Sequence, residues 1–534
     1  MDIRRIKIGC AISILVIGFF ISSCGEPGGG GKGILATEAD LGPTIGSLAE
    51  VSSLESILVE GYGVVGGLNG TGSSECPTQI RAYLKQYILT QLPEPTIDIE
   101  KFISGLDTAV VLVHGLIPVT ASKNQRFDIR AAALPGTQTT SLEGGWLYDA
   151  ELRTAGAFGI TTKVLATAKG PVFIDTINTS ETDKKVGYIL AGGKVLDDYR
   201  VGLALRRPDY RMAGLIRNRL NALWDDTARA IGPGQIELKV PAKYKEEKQR
   251  FVSIVKATYL SETREITRER VKTFVRKLAV SEEKEQSEIA LEAIGNESLS
   301  NVGALLESSN EEVRLRAGRC MLNLGSGSGL EALREIAMDK GSAYRFEALE
   351  TIGRAARRND ATAICRRLLR EEDFAIRLAA YEQLRRLDDI AVTQTLIARN
   401  FYLEEIAQTE YRTIFVSRSG QPRIVLFGAP ISCRRNIFVQ SSDGNITINS
   451  PAGQKYVSIM RKHPKRPSVI VQLKSTFELR DIIQTLCEEP LKKAEEERLG
   501  LGVSYADVIG LLKQMCDKGA VNAEFRAGPP PKID

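Results

Sequence analysis

Histidine is almost missing from this sequence: His114 and His463 are the only two among 534 residues. Imidazole is the usual general base and a frequent metal ligand, so most hydrolytic and metal-dependent chemistries have little to draw on. A dominant charge is missing too. Seventy-one Lys and Arg stand against 66 Asp and Glu, and the net charge of +5 is thinly spread over a chain long enough for about three or four domains. That is not the concentrated basic footprint of a nucleic-acid binder, so no nucleic-acid partner is expected. Cysteines are few. Apart from Cys10 and Cys24 they are Cys76, Cys320, Cys365, Cys433, Cys487 and Cys516, with no metal-ligand spacing, so no metal or other cofactor is expected, although an exported chain could pair some of them. Cys320 and Cys365 fall on apolar helix faces, where a buried thiol is the expectation.

What is present at the N-terminus sets the compartment. Arg4, Arg5 and Lys7 precede an apolar run from Ile8 to Ile21, the layout of a secretory signal and too short for a comfortable membrane span. The run ends on Ile21-Ser22-Ser23-Cys24, which resembles the lipobox of bacterial lipoproteins. Residues 1–23 are therefore expected to be removed and Cys24 lipidated; two or more acyl chains, at about 0.8 kcal/mol per buried methylene, anchor a protein stably. Gly25 follows the cysteine, which by the same resemblance permits transfer to the outer membrane. Gly25-Glu26-Pro27 and Gly28 to Gly31 then read as a flexible tether, bounded here as residues 24–46.

Gly61, Gly63 and Gly66 match the spacing of a dinucleotide-binding loop, but that loop needs a helix opening at the third glycine. Here Gly67-Leu68-Asn69-Gly70-Thr71-Gly72 comes next, and a segment so rich in glycine cannot sustain one. The helix starts instead after Ser74-Glu75-Cys76-Pro77, where Ile80, Tyr83, Leu84, Tyr87 and Ile88 recur at helical spacing. Alternation over Ala109 to Val113 marks a half-buried strand. His114 has no acidic or cysteine companion at motif spacing and reads as a packed or turn residue. No catalytic constellation is found, and the chain is not expected to be an enzyme.

The fifteen residues from Leu58 to Gly72, with Gly61, Tyr62, Gly63, Gly66, Leu68, Asn69, Gly70, Thr71 and Gly72 at their centre, resemble the N-terminal signature of the flagellar basal-body P-ring protein family. The next blocks keep the family's order: Ala109–Val113, Pro118, Asn124–Ile129 with Asn124 where glycine is usual, Ser141–Leu147, Leu203–Leu205, Asp209-Tyr210, Ile216–Asn221 and Ile236–Pro241. Further on, Tyr411–Gly420, Asp443–Ile448, Phe477–Leu486, Tyr505–Met515 and Gly519–Phe525 resemble its closing segments. Between the two pieces the chain turns to charged, alanine-rich amphipathic helices. Ala317, Ala348 and Ala380 recur at intervals of 31 and 32 residues, the period of a helical-hairpin solenoid. Second helices are expected near Leu330, Ala361 and Ile390, with a weaker copy over Glu288 to Ser308. These units resemble HEAT-like repeats.

The expected fold is α+β: a P-ring-like mixed body with antiparallel strands, residues 47–261 and 406–526, interrupted by a HEAT-like array at 262–405 and ending in a tail at 527–534. The array is expected to project as a loop-like insertion. The resemblance implies a structural subunit of the periplasmic ring around the flagellar distal rod. Its partners would be further copies of itself, rod and L-ring proteins, peptidoglycan, and the membrane through the lipid anchor. Two departures, the lipoprotein signal and the array, support an alternative: a lipid-anchored envelope scaffold that binds another protein through its repeats.

Overall fold

The computed structural model describes residues 41–52, 55–91, 98–156, 162–177, 183–261, 263–463, 466–489 and 500–533. The signal, Cys24 and most of the expected tether lie outside them. The fold is α+β. Ordered structure begins before residue 47: Ile45 is fully buried, its amide donates to the Thr258 carbonyl at 2.9 Å, and Thr44 bridges Tyr259. The tether expected to reach residue 46 is therefore shorter, because an isoleucine that can fill a core does so.

Six antiparallel strands close a barrel in the order Ile57–Gly66, Thr108–Ile117, Arg126–Ala133, Val186–Val195, Ala166–Pro171 and Trp146–Thr154. Alternation decides what fills it: Val111, Val113, Ile117, Ile129, Leu147, Leu152 and Ile189 point inward and are fully buried. The helix Thr78–Gln91 and the short helix Ile99–Ile103 cover part of the outside through Leu84, Ile99 and Ile103 against Val64 and Val110. Beside the barrel, Ala49–Ser52, Val201–Leu205, Gln235–Leu238 and Ala228–Ala230 form an antiparallel sheet. Helices Tyr210–Leu223 and Lys248–Ala257 complete its core with Ile216, Leu220, Phe251 and Ile254. Asp209 starts the first of these by accepting the Arg211 amide at 2.7 Å.

The helical segment runs through Arg264–Val280, Lys284–Ile294, Leu299–Gly303, Glu311–Asn323, Leu330–Met338, Arg345–Ala355, Arg358–Leu368 and Phe374–Arg386. Ala317, Ala348 and Ala380 are fully buried, so the repeating small residue sits where helices approach most closely. No helix begins near Ile390. Asp388 takes φ 50, which ends the helix, and the β-branched Thr393, Thr395 and Ile397 form the strand Thr393–Ile397. Ile390 is 87% exposed. The helices thus stop at Arg386, and the strands over residues 393–406 belong to the C-terminal sheets rather than to the array expected to reach residue 405.

The C-terminal part holds two sheets. The first is ordered Thr393–Ile397, Phe401–Ile406, Arg423–Phe427, Thr413–Val416 and Glu524–Ala527, with the second and third strands parallel, as are the fourth and fifth. The other is an antiparallel meander of Ile437–Gln440, Ile446–Ser450, Val457–His463 and Arg466–Ser475. Helices Leu479–Cys487 and Tyr505–Asp517 lie against them, burying Ile482, Ile483, Leu486, Val508, Leu511 and Leu512. The expected tail is docked: the Gly528 amide donates to Val416 at 2.8 Å and Ile533 is buried.

The helical segment does not project. Leu384, Tyr381, Ile376 and Leu368 share one core with Ile406, Phe415, Val425 and Phe427 of the five-stranded sheet. A sheet has two faces to cover; here helices 479–487 and 505–517 lie on one side's core and the last helices of the segment supply the other.

Candidate functional site

The family-like signature is the place to look for chemistry, and its residues converge on the closure of the barrel. Gly61, Tyr62, Gly63 and Gly66 belong to the strand Ile57–Gly66, which pairs with both Thr108–Ile117 and Trp146–Thr154. Pairing with the second of these is irregular between Glu60 and Val65. A Cβ on Gly61 would lie 2.1 Å from the Glu151 carbonyl oxygen, and one on Gly63 would lie 2.8 Å from a Leu147 methyl. These glycines let one strand cross close over another. Tyr62 faces outward; burial, then the Glu60 carboxylate, push its phenol pKa up.

Leu68 to Gly72 turn the chain back across the barrel mouth. Asn69 and Gly70 take φ 51 and 92, the left-handed region that asparagine and glycine tolerate best. The Leu68 and Gly72 amides donate to Asp107 and Leu106 at 3.0 and 2.9 Å. The Thr71 hydroxyl lies 2.9 Å from the Leu68 carbonyl and 2.8 Å from that of Ser141. Leu68 itself is buried among Val65, Leu142 and Leu147. The amides that would cradle a phosphate in a cofactor loop are thus spent on the protein's own carbonyls. Gly72 is the tightest point, since a Cβ there would sit 2.0 Å from the Thr108 carbonyl oxygen. Gly72→Ala should lower unfolding stability by about 1–3 kcal/mol, read from urea denaturation. A change below about 0.5 kcal/mol would show that the loop relaxes freely.

His114 has a partner that motif spacing could not show. Antiparallel register sets it opposite Glu60, with Nε2 3.9 Å from Glu60 Oε2. The Glu60 carboxylate also accepts the Gly156 amide at 2.6 Å, and no nucleophile is hydrogen-bonded to His114 Nε2. This is a barrel-wall contact, not an acid–base pair poised on a substrate. Among the described residues no group of His, Cys, Asp and Glu could hold a metal ion, and the six described cysteines are free thiols. Burial raises Cys365 and Cys433 to about 12, away from the reactive thiolate.

What the side chains do build is a set of fasteners between parts of the chain distant in sequence. Asp128 on the barrel accepts the Ala191 amide at 2.7 Å and the Gly420 amide at 2.8 Å. Arg418 pairs with Asp175 at 2.7 Å and donates to the Gly528 carbonyl at 2.6 Å. Lys513 reaches the Ile177 carbonyl at 2.8 Å. Phe173, Ile177 and Leu190 of the barrel enter the core of the C-terminal sheets.

A second set binds the helical segment to the N-terminal part. Glu288 is fully buried and receives Arg250 at 2.6 Å, Arg319 at 2.6 Å and Arg316 at 3.1 Å. Glu292 beside it accepts from Arg250 at 3.1 Å, Tyr244 at 3.2 Å and Asn323 at 3.2 Å. Burial alone would raise the Glu288 carboxyl, but Arg250 and Arg319 outweigh it and hold it at about 2. Farther along, Glu404 accepts from Tyr381 and from Arg385, and Arg354 and Arg386 pair with Glu247 and Glu246. A crevice of about 620 Å³ runs between Pro118-Val119 and residues 245–250, and no histidine or cysteine lines it. Lys248 in its wall donates to the Val119 and Thr120 carbonyls.

Residues 44–279 match the family described as flagellar P-ring protein. The flagellar P-ring protein of Thermotoga maritima is 32% identical over 213 residues, covering 36% of this chain and 60% of that protein. That of Anaeromyxobacter sp. strain K is 31% identical over 222 residues, 39% and 57% of the two chains. That of Desulfotalea psychrophila is 25% identical over 254 residues, 43% and 63%. The chain thus spans about three fifths of the length of the curated relatives it matches. The matched stretch contains the barrel, its signature and the sheet beside it.

Proposed function

We propose, from the premise that the chain belongs through residues 44–279 to the flagellar P-ring family, that it is a structural subunit of the periplasmic ring around the flagellar distal rod. The observation that carries the reading is the signature itself. Gly61 and Gly72 are pressed against the barrel's own backbone and Gly63 against its inward side chains, so the most recognisable residues of the chain serve architecture. A ring subunit needs that: load is carried by rigid bodies in contact, and the chemistry is confined to interfaces. Further copies of the same chain, rod and L-ring proteins and peptidoglycan are the partners this role requires, and the role is mechanical, not enzymatic.

Copies joined head to tail close into a ring when the rotation per subunit divides the circle. The fasteners between barrel, helices and C-terminal sheets favour this use, because they make one chain a single block. Full-length protein should copurify with hook-basal bodies from a flagellated host. Expressed protein that is absent from carefully isolated basal bodies would sink the ring reading in favour of an envelope scaffold that binds another protein through its HEAT-like repeats.

Cys24 is proposed to carry the lipid, on the strength of Ile21-Ser22-Ser23-Cys24, with Gly25 directing the protein to the outer membrane. A clickable palmitate analogue fed to cells should mark the wild-type chain and miss Cys24→Ala. An unmarked wild type would remove the anchor from the proposal without touching the ring.

A further inference from the structure

The cleft where the barrel meets the C-terminal sheets has a volume of about 420 Å³, the size of a small-ligand site, and the ring role leaves it without a task. Its lining includes Arg126 and Lys169 from the barrel and Arg399 from the turn between Thr393–Ile397 and Phe401–Ile406, and no aspartate or glutamate. Trp146 and Leu396 give it an apolar side and are 49% and 48% exposed. Asn400 adds an amide. Of the carboxylates beside the lining, Asp149 meets Lys169 at 3.3 Å in solvent that screens the pair, and Asp128 is taken up by the Ala191 and Gly420 amides.

The backbone is strained where two of these cations are set. Among the described residues other than glycine, asparagine and aspartate, only Thr120, Ala191, Ala398 and Arg399 take a positive φ. Ala191 and Arg399 line the cleft. Ala398 and Arg399, at φ 48 and 55, are the central residues of a turn closed by the Asn400 amide on the Ile397 carbonyl at 2.9 Å. Asn-Gly is the preferred filling of such a turn, because both centres are left-handed. Alanine and arginine cost stability there, and the Arg399 guanidinium has no ion-pair or hydrogen-bond partner among the described residues to offset it. At Ala191, φ 50, the pairing of Arg126–Ala133 with Val186–Val195 slips between Phe127 and Ile129, and the Ala191 carbonyl accepts from Arg126 Nη1 at 3.1 Å. One distortion thus holds Arg126 at the cleft wall, and the other presents Arg399 unpaired.

We propose that this cleft binds a saccharide bearing a carboxylate. A guanidinium fork matches the two oxygens of a carboxylate. The C–H face of a sugar ring lies against an indole such as Trp146, while its hydroxyls pair with an amide such as Asn400. An acidic peptide supplies the charge without that ring face. Trp146 belongs to the family-matched stretch and Arg399 lies outside it, so the barrel without the C-terminal part has only half of the cleft. The inference rests on the periplasmic reading for the ligand's being within reach, and wall glycan and acidic polysaccharide share the chemistry.

The test is isothermal titration calorimetry on the purified full chain in detergent. N-acetylglucosaminyl-N-acetylmuramic acid stands for wall glycan and N-acetylglucosaminyl-glucuronic acid for acidic polysaccharide; diacetylchitobiose is the neutral counterpart and triglutamate the acidic peptide. An acidic disaccharide should bind at least about tenfold more tightly than diacetylchitobiose, the tighter of the two naming the source. Arg399→Gln should weaken that disaccharide about tenfold and leave diacetylchitobiose within about twofold, whereas Trp146→Ala should weaken both. Folding is separated from binding by Ala398→Asn combined with Arg399→Gly, which gives the turn its preferred residues. This variant should melt about 2 °C above wild type and bind as weakly as Arg399→Gln. Acidic disaccharides that fail to bind at about 10 mM, equal affinity for diacetylchitobiose, affinity that ignores both changes at Arg399, or triglutamate bound as tightly as the sugars would overturn the proposal. No binding by a protein found in basal bodies removes the cleft's ligand and leaves the ring; binding by a protein absent from them removes the ring and leaves the ligand.

Discussion

Glu288→Gln should destabilise the protein by about 3–5 kcal/mol at neutral pH, because it removes a fully buried anion that pairs with three guanidinium groups. Arg250, Arg316 and Arg319 lie within 3.1 Å of that carboxylate, and they come from the helices Lys248–Ala257 and Glu311–Asn323 that flank it. Losing the carboxylate therefore unfastens the N-terminal part from the helical segment. The pH dependence gives an independent readout. Glu288 has its folded pKa held at about 2, below the ordinary 4.5. A depressed acid stabilises the fold above its unfolded pKa, here by roughly 3 kcal/mol, and that contribution fades as pH drops from about 4.5 through 2. Wild-type melting temperature should fall steeply across that window, and the glutamine variant, already lacking the charge, should fall less. Parallel pH profiles in the two proteins would mean that Glu288 is not the group whose protonation matters.

How far the sequence discloses this structure depends on the kind of information required. The barrel strands and turns are readable because alternation and glycine clusters are local, and Asn124, where the P-ring proteins that the segment resembles usually have glycine, takes φ 67 as such a position demands. The helices and the buried positions of Ala317, Ala348 and Ala380 are readable from their 31 to 32 residue spacing. The end of the helical segment is not, since Ala391 and Val392 prolong the small apolar pattern while the backbone has already turned at Asp388. Glu288 and Glu292 stand four apart on a helix with no arginine near them in sequence; only the folded chain brings up arginines from 28 to 42 residues away. His114 and Glu60 are joined by strand register, which no spacing rule encodes. Periodicity tells which face of a helix is apolar. It does not tell what will cover that face, which is why the helical segment reads as a separate insertion in sequence while its last helices share a core with the C-terminal sheet in the fold.

That difference sets the second large effect. If the helices were an independent insertion, replacing residues 264–386 with a short Gly-Ser linker would leave a folded body. In the structure their removal strips Phe427, Val425, Ile406 and Phe415, all nearly or fully buried, of Tyr381, Leu384, Ile376 and Leu368. At about 1.5–3 kcal/mol for each large side chain returned to water, four such residues on one sheet cost roughly 6–12 kcal/mol, comparable to a domain's whole net stability of about 5–15 kcal/mol. Glu404 is fully buried, accepts from Tyr381 and Arg385, and would be left without those partners. The deletion should therefore yield a chain whose N-terminal barrel melts cooperatively while the C-terminal sheets do not, visible as loss of amide hydrogen-exchange protection over 401–427 with protection kept over 108–133. Replacing Phe415, Val425 and Phe427 with serine and threonine in the deleted chain should recover part of that protection, since the exposed face would no longer need a cover. A deletion that retains full protection over 401–427 without those substitutions would mean that the sheet stands alone, and that the solenoid is an insertion after all.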